Sequence, residues 1–137
     1  MFQGIFQSTT IPALEQVVNF AQARHTVLAG NIANLGTPGY HARDLSVEDF
    51  QTRLKEAIET ARQPPAPPSL GDPDRPRGNL LADVSKDPKS ILFHDQSSDA
   101  AEIQVTEMVK NQLQHNMALA IMTSQFRLLQ TAISERV

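Results

Sequence analysis

Residues 99–133 read DAAEIQVTEMVKNQLQHNMALAIMTSQFRLLQTAI. Val105, Met108, Leu119, Met122, Phe126, Leu129 and Ile133 fall on alternating steps of three and four, with Gln112 and His115 at the two intervening positions. Such steps keep side chains on one face of a helix, and four repeats of them form the heptad seam of a coiled coil. Asp99 and Glu102 have the spacing of a capping box at its start. Val109, Leu113, Met117 and Ile121 widen the apolar face beyond what one partner helix covers. A helix of about 35 residues is roughly 50 Å long, so a small domain cannot bury it alone.

A partner is present at the other end of the chain. Pro12 suits a first helical turn, where its missing N–H is not needed. Leu14, Val18, Ala21, Leu28, Ile32 and Leu35 then step by threes and fours, with His25 the polar residue on the stripe. Gly36 in a left-handed cap and Pro38 beyond it would stop this helix. Gly30 inside it costs about 1 kcal/mol relative to alanine, which implies either fraying there or a close neighbouring backbone. Pro38 and Gly39 have the chemistry of a type II turn, with positive φ at the glycine. Asn31 and Asn34 can hydrogen-bond the backbone groups freed where the helix ends.

Ser46 is positioned as the N-cap of a shorter helix to about Arg62, with Val47, Phe50, Leu54, Ala57, Ile58 and Ala61 on one side. Residues 63–77 hold six of the nine prolines and read as an extended or disordered linker. Residues 80–84 and 91–93 are short apolar runs that would form a small strand pair or pack on a helix. The expected fold is mainly α: long N- and C-terminal helices pair as an antiparallel coiled coil, with a shorter middle helix and a proline-rich linker. The expected divisions are 1–62, 63–98 and 99–137.

Composition narrows the function. A net charge of -3 without a lysine or arginine run gives no footprint for nucleic acid or anionic membrane. With no cysteine there are no disulfides, thiolate metal sites or cysteine nucleophiles. No stretch approaches the roughly 18 apolar residues of a spanning helix, and the N-terminus lacks the pattern of a cleaved signal peptide. His25, His41, His94 and His115 do not stand at helical ligand spacing, so no metal or other cofactor is expected. His25 and His115 read instead as polar, register-setting contacts between helices. Asp95, Asp99 and Glu102 read as helix-start acids. The Gly30–Gly36 stretch lacks the Gly-Lys-Ser/Thr ending of a phosphate loop, and no nucleophile motif occurs, so no catalytic residue is assigned.

Residues 28–40, LAGNIANLGTPGY, carry a family resemblance. Asn31, Ile32, Ala33 and Asn34, two variable residues, then Thr37, Pro38, Gly39 and Tyr40 resemble the N-terminal signature of flagellar basal-body rod and hook proteins. Ala42-Arg43-Asp44 and Asp49-Phe50, with residues 107–114 and 125–133, are similar to the proximal-rod members in particular. Residues 94–101 depart from the Gly-Asn-Asn-Val type segment common there.

The resemblance implies a structural, non-enzymatic subunit of the proximal rod, a torque-transmitting shaft in the periplasm. It implies export through the flagellar type III channel without a cleaved signal, and assembly as a helical oligomer. The implied partners are other proximal rod proteins, the rod-to-ring adaptor FliE, the MS ring and the export gate. The assembly interface is then expected on Leu14, Val18, Ala21, Leu28, Ile32, Leu35, Val105, Met108, Leu119, Met122, Phe126, Leu129 and Ile133. The alternatives are a monomeric helical adaptor or export chaperone presenting an apolar groove, and, more remotely, a small hydrolase without a candidate acid pair.

Overall fold

Thr10 leads into the first helix, α1 (Ile11–Ala33), whose opening turn holds Pro12 at no cost in hydrogen bonding. This computed structural model describes residues 10–62, 89–90 and 98–134. After α1 come β1 (Arg43–Asp44), α2 (Val47–Arg62), β2 (Lys89–Ser90) and α3 (Ser98–Ser134). The protein is mainly helical, and its two long terminal helices pair. Contacts fall along α3 as they rise along α1: Asn31 meets Gln104, Arg24 meets Glu107, and the Ala21 carbonyl meets Asn111. At 37 residues α3 is about 55 Å long and α1, at 23, about 35 Å. The longer helix cannot be covered by the shorter one.

The apolar core lies between α1 and α2. Phe20, Leu45 and Phe50 are buried there, flanked by Val17, Val27, Val47 and Leu54. The Phe20 and Phe50 rings stack with centroids 4.0 Å apart and planes 10° apart, which adds about 0.5–1.5 kcal/mol to their burial. Ser46 caps α2 through its hydroxyl, which accepts from the Asp49 N–H at 3.2 Å. Glu48 and Asp49 in the first turn complement the helix dipole.

Several expectations change. Helix α1 ends at Ala33, and Asn34 takes the C-cap, its amide donating to the Gly30 carbonyl at 2.8 Å. Among the described residues Gly39 is the glycine with positive φ, so Gly36 is not a left-handed cap. The asparagine side chain already satisfies the helix end. At Gly30 the helix neither frays nor meets a neighbour: it continues for another turn, and a Cβ would find nothing within 4 Å. His25 is exposed, so the register-setting contact assigned to it is absent. Arg24, one residue earlier, points inward instead.

Strand β2 pairs with β1 in antiparallel register, Arg43 opposite Ser90 and Asp44 opposite Lys89. The expected strand pair at 80–84 and 91–93, the proline-rich linker and the side chain of Asp99 lie outside the described residues.

Candidate assembly site

The signature turn is organised by one side chain. Asn31 is fully buried, and its amide meets its full complement of four partners. Nδ2 donates to the Arg43 carbonyl at 2.6 Å and to Gln104 Oε1 at 3.0 Å, while Oδ1 accepts from Tyr40 Oη and the Arg43 N–H, both at 3.1 Å. Thr37 to Tyr40 close a tight turn, the Tyr40 N–H donating to the Thr37 carbonyl at 3.2 Å. Gly39 at φ +77° supplies the conformation that a type II turn requires after proline. In this way the turn returns the chain to Asn31, which ties it to α3. Ile32 and Asn34 are half-buried, and Ala33, Thr37, Pro38 and Gly39 are exposed.

A second polar lock lies two turns along α1. Arg24 donates through Nε and Nη2 to the two oxygens of Asp44, at 2.8 and 2.6 Å, and through Nη2 to Glu107 at 2.9 Å. Lys110 adds a 2.8 Å bond to Glu107. The Asp44 hydrogen bonds are the main influence raising the guanidinium pKa; burial opposes them and Glu107 adds to them. The Glu107 carboxyl is lowered, by Lys110 first and then by Arg24. Asn111 completes the set, donating to the Ala21 carbonyl at 2.7 Å. Asn111 Oδ1 and His115 Nδ1, one turn apart, are buried without a hydrogen-bond partner.

The seam between the long helices therefore differs from the expected one. Met108, His115, Met122 and Leu129 are half-buried on α3, as half of the heptad predicts. The other column is shifted by one residue, with Gln104, Asn111 and Ala118 buried and Gln125 half-buried. Val105, Leu119, Phe126 and Ile133 are 50%, 39%, 47% and 67% exposed. On α1, Ala21 and Leu28 are buried, Leu14, Val18 and Ile32 half-buried, and Leu35 exposed. Gln104 and Asn111 hold this column through partners on α1, the Asn31 amide and the Ala21 carbonyl.

Sequence reading missed Arg24, Gln104, Asn111 and Phe20. A signal was present for the first: Ala21, Arg24, Leu28 and Asn31 step by three, four and three, but counting apolar residues passes over the arginine and the asparagine.

Beyond the seam, α3 turns Val105, Val109, Leu113, Met117 and Ile121 outward, each at least 39% exposed. Successive members are four residues apart, so they form a ridge of the kind that packs into another helix's groove. Beside it runs a cleft of about 280 Å³ between α1, α2 and α3, lined by Leu14, Val17, Phe50, Leu54, Met117 and Ile121 among others. Among the described residues no helix is long and apolar enough to cross a membrane, and no His, Cys, Asp or Glu group could hold a metal.

An extended apolar surface backed by a polar-keyed helix pair belongs to a helical structural protein, whose chemistry is contact. No protein-family model matches the chain. It is 30% identical over 121 residues to the flagellar basal body rod protein FlgB of Escherichia coli K12, covering 82% of this chain and 84% of that one. It is 30% identical over 120 residues to FlgB of Salmonella typhimurium LT2, with the same coverage. With FlgB of Bacillus subtilis 168 the identity is 24% over 129 residues, 93% of this chain and 95% of that one. The chain belongs to the FlgB family of flagellar basal body rod proteins.

Proposed function

We propose that this chain is a structural subunit of the proximal rod of the bacterial flagellar basal body. It assembles through its terminal helices, paired as an antiparallel coiled coil, into the shaft that transmits torque through the periplasm. The observation that carries this reading is the open apolar surface of α3, where ten large apolar side chains are 39% to 69% exposed. A chain that spent its life as a monomer would gain by replacing them with polar residues. Family membership supports the rod as the place where the surface is covered.

In this reading the chain passes through the flagellar export gate. Its neighbours are other proximal rod proteins, the adaptor FliE and the MS ring. The signature residues Asn31 to Tyr40 fix the fold of each subunit, and the residues assigned above to the interface supply contacts within and between subunits. A monomeric adaptor or chaperone using the cleft as its groove is not favoured, since the relatives are named as rod proteins.

The test is removal of 124–137 from the chromosomal copy. The expected outcome is loss of motility and of rods in purified basal bodies while the truncated chain is still exported. Normal rods built from the truncated chain would defeat the proposal.

A further inference from the structure

Four polar side chains follow one line along the first half of the α3 seam: Gln104, Glu107, Asn111 and His115, at steps of three, four and four. The first three are keyed to α1, through Asn31, Arg24 and the Ala21 carbonyl. His115 ends the line, and beyond it stand Ala118 and Met122. Among the described residues, neither His115 Nδ1 nor Asn111 Oδ1 finds a hydrogen-bond partner, and both atoms are buried. Residues four apart on a helix lie one above the other, with Cβ atoms about 5–6 Å apart.

The orientation of the Asn111 amide is settled at its other end. Nδ2 donates to the Ala21 carbonyl at 2.7 Å; exchanging the nitrogen and the oxygen would set two acceptors against each other there. Oδ1 is therefore the orphan, and an amide oxygen can only accept. No direct bond joins it to His115 Nδ1, as an N–H aimed at it would make. Nδ1 is then an acceptor too, with the ring proton on Nε2. Two acceptors one turn apart on a buried face are satisfied together by a small molecule that carries two donors on one atom.

From this geometry we infer a single internal water in the α1–α3 seam, donating one proton to Asn111 Oδ1 and the other to His115 Nδ1. An anion would meet two acceptors, and among the described residues no His, Cys, Asp or Glu group could hold a metal ion. Two partners fall within the about two to four hydrogen bonds that internal waters make. Room comes from alanine on both helices. Ala21 and Ala118 are buried here, the first bonded to Asn111 through its carbonyl and the second one turn past His115. Both also line the cleft toward α2, which gives water a path from solvent.

The bridge is a property of the single chain and holds whether or not the chain joins a rod. It makes His115 a positioning residue. The polar line then fixes the register of α3 at four successive levels, as polar residues do in coiled-coil seams.

The order of stability of two variants tests the bridge. In urea unfolding of the full-length chain, His115→Phe keeps the shape of a ring but removes Nδ1, and should raise the unfolding constant about 2- to 12-fold, the usual net contribution of one hydrogen bond. His115→Gln keeps an acceptor and should lie closer to the unmodified chain. A residue that only filled space would give the reverse order, with Phe at least as stable as His and Gln the least stable. That order overturns the inference, as does equality of the three chains.

Should neither variant fold, the unmodified chain decides. Nitrogen NMR at about pH 8.5, where an ordinary imidazole is neutral, should find His115 Nδ1 unprotonated. A crystal structure should hold a water about 3 Å from both Nδ1 and Asn111 Oδ1. A protonated Nδ1, or the two side chains in direct contact, overturns the inference.

Discussion

The side-chain amide of Asn31 pairs with both backbone groups of Arg43, accepting from the N–H at 3.1 Å and donating to the carbonyl at 2.6 Å. It therefore acts as an extra strand residue beside β1. Asn31→Asp keeps the shape and the acceptor but sets an oxygen against two other acceptors, the Arg43 carbonyl and Gln104 Oε1. Burying that charge unpaired should cost roughly 3 kcal/mol or more. In urea unfolding followed by circular dichroism, the midpoint should collapse, whereas Asn34→Asp, nearer the surface, should shift it far less.

Gly39 and Gly36 separate backbone conformation from crowding. Neither would bring a Cβ within 4 Å of a neighbour, but Gly39 alone of the two has positive φ. Gly39→Ala should lose about 1–2 kcal/mol, and Gly36→Ala should be close to neutral. Equal midpoints for the two variants would show that the turn relaxes to another form.

Gly30 offers the opposite sign. It lies inside α1 with open space where a Cβ would go, so Gly30→Ala should stabilise the isolated chain by up to about 1 kcal/mol. A rise in Tm is the readout. A more stable chain that assembles poorly would locate a neighbouring subunit at this position.

Glu107 makes the stability pH-dependent. Its pKa is lowered in the folded chain, so its contribution is fully present above the ordinary carboxylate range and is lost as pH falls through the lowered value. Glu107→Gln should cost about 1 kcal/mol at neutral pH. The gap to the unmodified chain should start to narrow as pH falls through the ordinary carboxylate range and should close only below the lowered pKa, where both carry a neutral side chain. Paired urea titrations at neutral and acidic pH measure this directly; a constant gap would mean that packing, not charge, sets the cost.

The sequence made the helices legible because their signals are local. Pro12 marks the start of α1, Ser46 caps α2, and the Thr37 to Tyr40 turn follows from Pro38 and Gly39. The register between α1 and α3 was not legible in the same way. Asn31 meeting Gln104 and Arg24 meeting Glu107 join residues more than seventy positions apart, and polarity alone would have placed all four on the surface. In one half of the α3 seam, Met108, Met122 and Leu129 are half-buried at the spacing their apolar side chains share. The other half slipped by one residue because Gln104 and Asn111 look like solvent-facing amides until their partners are known. Arg24 in place of His25 is the same error on the facing helix.

The polar seam also has a calorimetric signature. Exposing amides and an ion pair to water lowers the heat capacity, whereas exposing apolar surface raises it. Unfolding of the single chain should therefore show a heat-capacity increment below the usual 12–15 cal/mol/K per residue and a broad, shallow stability curve. The missing increment should reappear, with negative sign, in the calorimetry of copies associating, when α3 loses its contact with water. In this protein most of the hydrophobic effect would then be expressed at association, and comparatively little when the chain first folds.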